Sequence, residues 1–496
     1  MRHLFILNTP LHSGDNQMKY LLEPHFAIGR LVLVLFIILT LCGITAQGTN
    51  AEKEINMEKN RIKIYSENPR YWQYKGEPVL LIGGSVEDNL FQIPNLREHL
   101  ELLKSVGGNY VRSTMSWVDE GDVPPHKKIG DKYDLNQWNE EFWNRFRNFL
   151  KWTDEMDIII QIEVWATFNY YREPWAANPF NPMNNSNYTE EESGLPTSVN
   201  SHPVATNNNF FWSVPKERNQ EIVLKYQEKF VDKLLSETLP YGHILYCMDN
   251  ETAVTAAWGE YWSTYIKKKA EEVGRVVETT EMWDPWDLSD NKHKATFDHP
   301  ETYSFCDISQ NNHQKRQRHW DNAQKIRAKL SPIRPINNIK IYGADGGRFG
   351  STRDGLERFW RNVFGGFASA RFHRPDSGVG LSKVAQAHLK SMRMITDKMD
   401  IFTCEPNTDL LSNREENEAY AIANPGKEYA VYFPKGGSVD LDLSAIGKTD
   451  AKTVSIRWVN IRKSEWKQEK EMPVSDTITL TAPTEAHWAV LVQVNS

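Results

Sequence analysis

Short apolar runs alternate with longer amphipathic segments along the chain from about residue 78 onward. The amphipathic segments carry apolar residues at helical spacing, as at Phe142, Phe146 and Phe149, whereas the apolar runs have the length and the Val, Ile and Tyr content of strands. The runs are PVLLIGGS, NYVRSTMSW, DIIIQIEVW, HILYCMDNE, RVVETTEMW, YSFCDISQNN, NIKIYGAD and GGFASARFH. Strands that alternate with helices pair in parallel, and eight such units over roughly 300 residues predict an α/β fold, a (β/α)8 TIM barrel.

A doubly wound open sheet is the competing fold for this alternation. That fold usually carries a Gly-rich phosphate-binding turn with GxGxxG spacing after its first strand. The corresponding stretch, LIGGSVEDN, lacks that spacing, so the sequence favours the barrel. The clearest insertion, residues 169–213, is rich in Asn, Pro and Ser and is predicted to be a long loop over the active-site face.

The pattern changes at about residue 400. Short alternating strands follow, as in EAYAIANPGKEYAVYFPKGGSVDLDL, TVSIRWVN and HWAVLVQV, and Asn-Pro-Gly and Lys-Gly-Gly mark tight turns between them. This pattern predicts a small antiparallel β-sandwich. The predicted domains are therefore a barrel at residues 60–400 and a C-terminal sandwich at residues 401–496 that packs against it.

The N-terminal segment, residues 1–46, has the features of a secretory signal peptide. A near-continuous apolar run begins at Leu31, directly after Arg30, and small residues at its end form an imperfect cleavage site at Ala46. The mature chain is therefore predicted to be secreted or periplasmic, with no stable membrane insertion. An uncleaved anchor in the cell envelope is the alternative, because the run approaches membrane-spanning length.

Composition narrows the class of ligand. The formal charge of -7 and the lack of a basic run give no footprint for nucleic acid. The chain contains 17 Trp, 19 Tyr and 21 Phe, and aromatic faces suit the apolar C–H patches of sugar rings, although large cores also contain many aromatic residues. No cofactor motif or metal-ligand spacing occurs, and Cys247, Cys306 and Cys404 are predicted to be small buried hydrophobes.

In barrel enzymes the catalytic groups lie at the carboxyl ends of the strands. Carboxylates and Trp dominate the polar and aromatic residues expected there. Two carboxylates on opposite sides of a cavity are what glycosidic bond cleavage needs, one to protonate the leaving oxygen and one to attack or to activate water. The residues at these ends are Glu87, Asp88, Arg112, Trp117, Glu163, Trp165, Asn250, Glu251, Glu281, Trp283, Asn311, His313, Asp345, Arg371 and His373.

The fourth run ends in Asn250-Glu251 and resembles the fourth strand of clan A glycoside hydrolases. In that clan the Glu of an Asn-Glu pair is the general acid/base, and the Asn contacts the sugar hydroxyl next to the anomeric carbon. The resemblance implies these roles for Glu251 and Asn250. A charge that favours the start of a helix is the structural alternative for Glu251.

Other motifs resemble the bacterial apiosidase-like family, whose members combine a barrel with a C-terminal domain labelled collagen-binding. NPRYWQYKGEPVLLIGGS resembles the entry to the first strand of that family, and AVYFPKGGSVDLDLSAI and APTEAHWAVLV resemble its C-terminal domain. The family includes apiosidases that act on plant pectin, so the resemblance implies a carbohydrate substrate.

The seventh run departs from the clan A pattern. Clan A enzymes carry their nucleophile there as Glu, whereas IKIYGADGG provides Asp345. The shorter side chain could widen the carboxylate gap and favour inversion, or Glu281 or Glu163 could serve instead. A turn residue before Gly-Gly is the structural alternative for Asp345.

The predicted catalytic pair is Glu251 and Asp345. The predicted substrate-binding residues are Arg112, Trp165, Asn250, Trp283 and His313, with ion pairing, rim packing or a loop position as their structural alternatives. The sequence thus predicts a secreted glycoside hydrolase that acts on a polysaccharide or a derived oligosaccharide without metal or cofactor. The alternative is a non-catalytic carbohydrate-binding or adhesion protein on the same fold.

Overall fold

The computed structural model describes residues 59–201, 209–345, 347–448 and 451–495. The predicted signal peptide, residues 1–46, lies outside these ranges, so its prediction stands untested. Within them, every helix is too short or too polar to cross a lipid bilayer.

Parallel strands form the centre of the fold, and their positions follow the apolar runs of the sequence. Six of them form one sheet in the order β5-β4-β3-β2-β1-β8, and β6 pairs in parallel with β7. The strands are β1 Leu81–Gly84, β2 Tyr110–Thr114, β3 Ile159–Ala166, β4 Ile244–Asn250, β5 Glu278–Thr280, β6 Cys306–Asp307, β7 Ile336–Asn337 and β8 Ser369–Phe372.

The two parallel sheets are connected at both ends. Backbone hydrogen bonds join β7 and the residues after it to β8, from Ala368 N–H to the Ile336 carbonyl (2.9 Å) and from Arg371 N–H to the Asn338 carbonyl (3.0 Å). At the other end, Thr279 N–H donates to the Ser304 hydroxyl (3.1 Å) rather than to a strand backbone. All strands of both sheets are parallel, so their carboxyl ends lie on one side.

Helices connect the strands as the amphipathic segments predict. In α2, Asn139 caps the first turn by accepting the Glu141 N–H (3.1 Å), and the predicted apolar face is buried. The helices are α1 Leu96–Ser105, α2 Glu140–Glu155, α3 Arg172–Ala177, α4 Glu190–Ser193, α5 Glu221–Thr238, α6 Ala256–Glu272, α7 Asn291–Phe297, α8 Arg316–Lys329, α9 Thr352–Phe364 and α10 Lys383–Thr396. The predicted alternation of strand and helix is confirmed.

One strand lies earlier than predicted. The seventh apolar run, residues 338–345, was expected to be the strand, but β7 is Ile336–Asn337, and the chain continues extended beside β8 with a parallel bridge between Ile341 and Phe372. The strand residues are flanked by Pro335 and Asn338, which are not typical of strands, so the apolar pattern misplaced the strand. This shift changes which side chains reach the active-site face.

Additional strands lie outside the parallel sheets. An antiparallel sheet at the start of the described chain and a hairpin between β2 and α2 were not predicted. The predicted long insertion contains α3 and α4, besides residues that the structure does not describe. These strands are Lys63–Ile64, Trp72–Tyr74, Glu77–Val79, His126–Ile129 and Lys132–Trp138.

The C-terminal region is rich in antiparallel strands, as predicted. One sheet has seven strands, a second has three, and their side chains share a hydrophobic cluster that includes Val431, Leu441 and Val490. The strands are Glu405–Pro406, Leu411–Ser412, Tyr420–Asn424, Glu428–Phe433, Ser438–Asp442, Thr453–Asn460, Glu465–Trp466, Lys470–Pro473, Thr477–Thr481 and Trp488–Asn495.

The C-terminal sheets pack against the helices of the parallel sheet. Tyr432 stacks on Trp360 of α9 with ring centroids 5.1 Å apart, and both side chains are wholly buried. Ala489 and Leu491 of the last strand belong to the same large hydrophobic cluster as that helix. The expected burial of one face of this region is confirmed.

The cysteines are free and buried, as predicted for Cys247, Cys306 and Cys404. Burial raises the pKa of the Cys306 and Cys404 thiols to about 12, so both thiols stay protonated at neutral pH. They contribute packing and no nucleophile.

Candidate functional site

Glu251 follows β4 directly and lies at the carboxyl end of the parallel sheet. Its φ of 53° is in the left-handed region, which a residue with a Cβ seldom adopts. Such backbone conformations cost of order 1–3 kcal/mol and cluster at functional sites. The surrounding contacts must therefore hold Glu251 in place.

Three donors reach the same carboxylate oxygen of Glu251. The Lys340 ammonium forms a short ion pair with Oε1, the Tyr342 hydroxyl donates a short hydrogen bond to it, and Gln310 Nε2 donates at 2.7 Å. Among the described residues, no hydrogen bond forms to Oε2. The side chain is 21% exposed, so this second oxygen is left for solvent or a ligand.

The electrostatic environment keeps Glu251 ionised. Burial alone would raise the pKa of this carboxyl, but the Lys340 charge and the hydrogen bonds from Lys340, Tyr342 and Gln310 outweigh burial and place the pKa well below the ordinary range. A proton donor needs a pKa near the working pH. The raised pKa that a general acid requires is therefore not found at Glu251.

Arg112 is the centre of a buried charge cluster beside Glu251. Its guanidinium forms a bidentate pair with Glu163 (2.6 and 2.5 Å), a short ion pair with Asp88, and a hydrogen bond to Asn250 Oδ1 (2.7 Å). Arg112 and Glu163 are wholly buried. Arg112, predicted to bind substrate, here holds the strand ends together and orients Asn250.

Asn250 connects the two charged groups. Its Oδ1 accepts from Arg112 and also from Lys340 Nζ (2.9 Å). Both cations therefore hold the carboxamide oxygen, and the amide nitrogen is the group left to donate to a ligand. This arrangement agrees with the predicted role of Asn250 as a contact to a sugar hydroxyl, a role that stays a prediction.

Asp345 lies apart from this group. It is exposed, and its carboxylate accepts the N–H of Thr352 (2.9 Å), at the first residue of α9. These are the contacts of a loop residue near a helix start, which was the structural alternative for it. The structure brings Lys340 and Tyr342, and not Asp345, to Glu251.

The two Trp side chains that were predicted to bind substrate are buried. Trp165 is wholly buried among Phe210, Phe230 and other rings, and its face is covered. Trp283 is 2% exposed, and its Nε1 donates to the Thr296 hydroxyl (2.9 Å). In this conformation neither ring offers a face to a sugar.

His313 lies inside a stack of aromatic rings at the site. Its ring is 4.0 Å from Trp286 on one side and 4.3 Å from Tyr342 on the other, and Phe349 packs against Tyr342 at 4.7 Å. Burial lowers the pKa of His313 to about 3, and the charge of Glu251 opposes this only in part. A neutral His313 therefore supports Tyr342, which donates to Glu251.

The two carboxyls that are the alternatives to Asp345, Glu163 and Glu281, are both inaccessible. Glu163 is paired with Arg112. Glu281 is wholly buried, and its Oε1 accepts the N–H groups of Asp249 (3.0 Å) and Met282 (2.9 Å). Neither can reach a substrate without rearrangement.

Glu87 is a better candidate for a proton donor than Glu251 or the two buried carboxyls. Its side chain is 35% exposed, after β1, next to the Asp88 that pairs with Arg112. Burial, followed by the charge of Asp119, raises the pKa of Glu87 to about 7, although Arg374 opposes the shift. A carboxyl with this pKa is part protonated at neutral pH.

The sequence did not single out several residues of the site. Lys340, Tyr342 and Gln310 come from loops and from the misplaced β7 region, and nothing in their spacing marks them as partners of Glu251. Trp286 could have been found, since an aromatic residue in a Pro- and Asp-rich loop after a strand is a sign of exposure. Within the described ranges, no group of three or more His, Cys, Asp and Glu side chains is arranged for a metal ion.

The insertion after β3 begins next to Asn250. The hydroxyl of Thr167, two residues before the insertion, donates to the Asn250 carbonyl (2.6 Å), and burial, with a smaller contribution from the charge of Glu251, raises the pKa of Tyr171. Arg172 beside it is exposed and has a left-handed φ of 54°. The predicted position of this insertion over the strand ends is consistent with that proximity.

Comparison with known proteins gives one match to part of the sequence. Residues 406–493 match the family described as "Putative collagen-binding domain of a collagenase". This match agrees with the predicted resemblance of the C-terminal region. No curated protein matches the sequence at a significant level.

Solved structures resemble nearly the whole chain. A glycoside hydrolase family 5 protein from Bacteroides vulgatus has 12% identity and a TM-score of 0.59, with 88% of this chain and 93% of that chain covered. A second structure, described only as a glycoside hydrolase, has 12% identity and a TM-score of 0.58, with 88% and 98% covered. At such identities the likeness concerns the fold alone, and the chain has a fold like that of glycoside hydrolases.

Proposed function

We propose that the protein is a glycoside hydrolase that cleaves O-glycosidic bonds in a polysaccharide or a derived oligosaccharide. The observation that carries this proposal is the state of Glu251, whose Oε1 is held by Lys340, Tyr342 and Gln310 while Oε2 has no protein partner among the described residues. A carboxylate held ionised with one oxygen available is suited to attack an anomeric carbon or to activate water.

This proposal changes the role given to Glu251. With a pKa below the ordinary range, Glu251 acts as nucleophile or general base and not as proton donor. Glu87 then supplies the proton to the leaving oxygen, because it follows β1 on the same side of the parallel sheet as Glu251, and its pKa of about 7 leaves it part protonated at neutral pH. The pair of carboxyls becomes Glu251 and Glu87 in place of Glu251 and Asp345.

The fold, the domains and the location of the protein are part of the same proposal. The eight parallel strands close into a (β/α)8 barrel, with residues 60–400 as the catalytic domain and residues 401–496 as a sandwich of the apiosidase-like kind. The support is the order β5-β4-β3-β2-β1-β8 in the larger sheet, the parallel pair β6-β7, the backbone hydrogen bonds that join the β7 region to the β8 region, and the match of residues 406–493. The chain acts after export, as a secreted or periplasmic protein, with a carbohydrate as its partner.

A second candidate, carbohydrate binding without hydrolysis, is favoured by one specific observation. Lys340, and not a carboxylate, extends from the β7 region to Glu251, although the resemblance to clan A implies a carboxylate nucleophile there. An ion pair of this kind would preserve a sugar-binding site in a protein that has lost its nucleophile. The two candidates differ in whether any glycosidic bond is broken.

The release of reducing ends from a panel of plant and bacterial glycans distinguishes hydrolysis from binding without hydrolysis. The wild-type chain is expected to release reducing ends from at least one glycan, and Glu251→Gln to slow this release by about a hundredfold or more. Glu141→Gln, on an exposed face of α2, is the matched control and should keep full activity. Binding of a glycan without release of reducing ends would establish the second candidate instead.

The role of Glu87 has its own test. Glu87→Gln should slow natural glycans by about a hundredfold, but should slow aryl glycosides with a good leaving group much less, since these need no proton. Equal loss on both substrates would remove Glu87 as the proton donor. NMR of the anomeric proton early in hydrolysis then reports whether the configuration is retained, with Glu251 as nucleophile, or inverted, with Glu251 as base.

A further inference from the structure

Trp286 is the exposed end of the aromatic stack that leads to Glu251. Its side chain is 48% exposed, while one face of its ring lies on His313 with an interplanar angle of only 13°. The other side of His313 stacks on Tyr342, whose hydroxyl donates to Glu251. One face of Trp286 is therefore supported by protein and leads to the carboxylate, and much of the ring is open.

The loop that carries Trp286 is anchored on both sides. Before it, Trp283 is buried and forms a parallel bridge with Thr252, directly after Glu251. After it, Leu288 is buried, and the Trp286 carbonyl accepts a hydrogen bond from Gln314 Nε2 (3.1 Å). An aromatic ring held this way needs little ordering when a ligand binds.

We propose that the open face of Trp286 is a sugar-binding subsite next to Glu251. This subsite stacks on the apolar C–H face of one sugar ring of the glycan, and this assignment rests on the proposed function. Exposed single hydrophobic residues are common on protein surfaces and need no ligand. Trp286 differs from them because its ring continues a rigid stack whose other end hydrogen-bonds the proposed catalytic carboxylate.

The chemistry of the stack favours a sugar ring over a cation. Burial keeps His313 neutral, with a pKa of about 3, so the stack beneath Trp286 carries no positive charge. Two cations lie over neighbouring rings, Lys340 Nζ at 5.5 Å from the centroid of Tyr342 and the Arg348 guanidinium at 4.7 Å from the centroid of Phe349, and they would repel a cationic ligand. A ring with an apolar face and hydroxyl groups at its edge fits this setting.

Binding to an inactive background tests the subsite without consuming the ligand. The full chain with Glu251→Gln is titrated with hexasaccharides of the gluco, manno, xylo, galacto and arabino series and with oligogalacturonides, by calorimetry and by Trp fluorescence. Adding Trp286→Ala should weaken binding of the preferred probe by about tenfold. Val276→Ala, at another exposed apolar side chain, is the matched control and should leave affinity unchanged.

A second variant, measured by Trp fluorescence, tests the subsite even if Trp286→Ala lowers the stability of the chain. Trp286→Phe keeps an aromatic face, so it should retain most of the affinity while losing the emission change that the ligand causes in the parent. The subsite is overturned if Trp286→Ala binds every probe as tightly as its parent, if the emission change persists in Trp286→Phe, or if no probe binds the parent. If Trp286→Ala abolishes binding while the wild-type chain releases no reducing ends, the subsite stands and hydrolysis fails.

Discussion

Lys340 and Glu251 form an ion pair at the carboxyl ends of β7 and β4, and Asn250 Oδ1 accepts from the same ammonium. Lys340 is 3% exposed, so the pair is shielded from water on the lysine side. An opposite charge in such a setting stabilises the ionised carboxylate strongly. The acid–base state of the candidate site therefore depends on one lysine that no motif in the sequence marks.

Removal of that charge should change the pH at which Glu251 titrates. In Lys340→Met the pKa of Glu251 should rise, because burial is no longer outweighed by the neighbouring ammonium. Since the ionised carboxylate is the active form, the acid limb of the kcat/KM profile should move to higher pH. Lys340→Arg keeps a positive charge and should move this limb less.

The same change can be measured without turnover. Chain labelled with 13C in the Glu carboxyl groups, with Glu251→Gln to assign the signal, reports the titration of Glu251 directly by NMR. Lys383→Met, at an exposed lysine of α10, is the control and should leave the titration unchanged. An unchanged Glu251 titration in Lys340→Met would contradict the ion pair as the cause of the low pKa.

Asp345 should tolerate the loss of its charge. In Asp345→Asn the side-chain oxygen can still accept the N–H of Thr352, because Asn suits turns as well as Asp does. Activity or glycan affinity should stay within about twofold of wild type, a range typical of surface substitutions. A loss of about a hundredfold would instead return Asp345 to the catalytic pair and remove Glu87 from it.

The apolar pattern predicted the parallel strands where they are fully buried and the local residues are β-formers. β3 and β4 are buried along their whole lengths, and the runs that predict them contain the unbroken apolar stretches 158–160 and 244–248. The region of β7 contains Asn337 and Asn338 instead: Asn337 Nδ2 donates to the Tyr110 hydroxyl of β2 (3.0 Å), and Asn338 Oδ1 accepts from Asn312 Nδ2, after β6 (3.2 Å). Buried polar residues that hydrogen-bond to one another have no period that a sequence reveals.

The site was predictable only for residues adjacent to a well-predicted strand. Asn250 is the last residue of β4 and Glu251 follows it directly, so both lie at the strand end where the sequence predicted them. The sequence did not predict their partner Lys340, because its position depends on β7. Trp165 was predicted to bind substrate, but tertiary packing buries its ring. Exposure of an aromatic side chain at a strand end depends on the neighbouring helices and loops, so the local sequence could not decide it.

Arg112 should be essential for stability because it neutralises two carboxylates at once. In Arg112→Met, Glu163 stays wholly buried without a cation, and Asp88 loses its closest one. Breaking a buried ion pair by removing one partner typically costs about 3–5 kcal/mol. Urea unfolding should therefore show a loss of this size in the free energy of unfolding.

An exposed cation of α2 gives the comparison. Lys151, a lysine, serves here because it is more exposed than the arginines of that helix. It pairs with Glu155 across one turn of α2, and the two side chains are 64% and 45% exposed. Such surface pairs contribute about 0.5 kcal/mol or less, so Lys151→Met should scarcely change the urea midpoint. Equal effects of Arg112→Met and Lys151→Met would mean that water or other groups compensate Glu163, and that the cluster does not fix the strand ends.

Asp249 and Glu281 form a second buried carboxyl pair, behind the site. Glu281 Oε1 accepts the Asp249 N–H. The other carboxylate oxygens, Asp249 Oδ2 and Glu281 Oε2, have no hydrogen-bond partner among the described residues. Burial, reinforced by the neighbouring carboxyl, raises the pKa of Glu281 well above its ordinary value, and burial raises the pKa of Asp249 to about 7. At about pH 6 both carboxyls are therefore mostly protonated in the folded chain, whereas an unfolded chain has released these protons.

This pair should make the protein less stable as pH rises. A group whose folded pKa exceeds its unfolded pKa gives stability that is fully present below the unfolded value, about 4 for a carboxyl, and is lost as pH rises through the folded value. Glu281→Gln keeps the oxygen that accepts the Asp249 N–H but cannot ionise. Its melting temperature should therefore fall less than that of wild type between about pH 5 and about pH 8. Glu141→Gln should follow wild type, and a variant Glu281→Gln that loses as much stability as wild type over this range would exclude Glu281 as the titrating group.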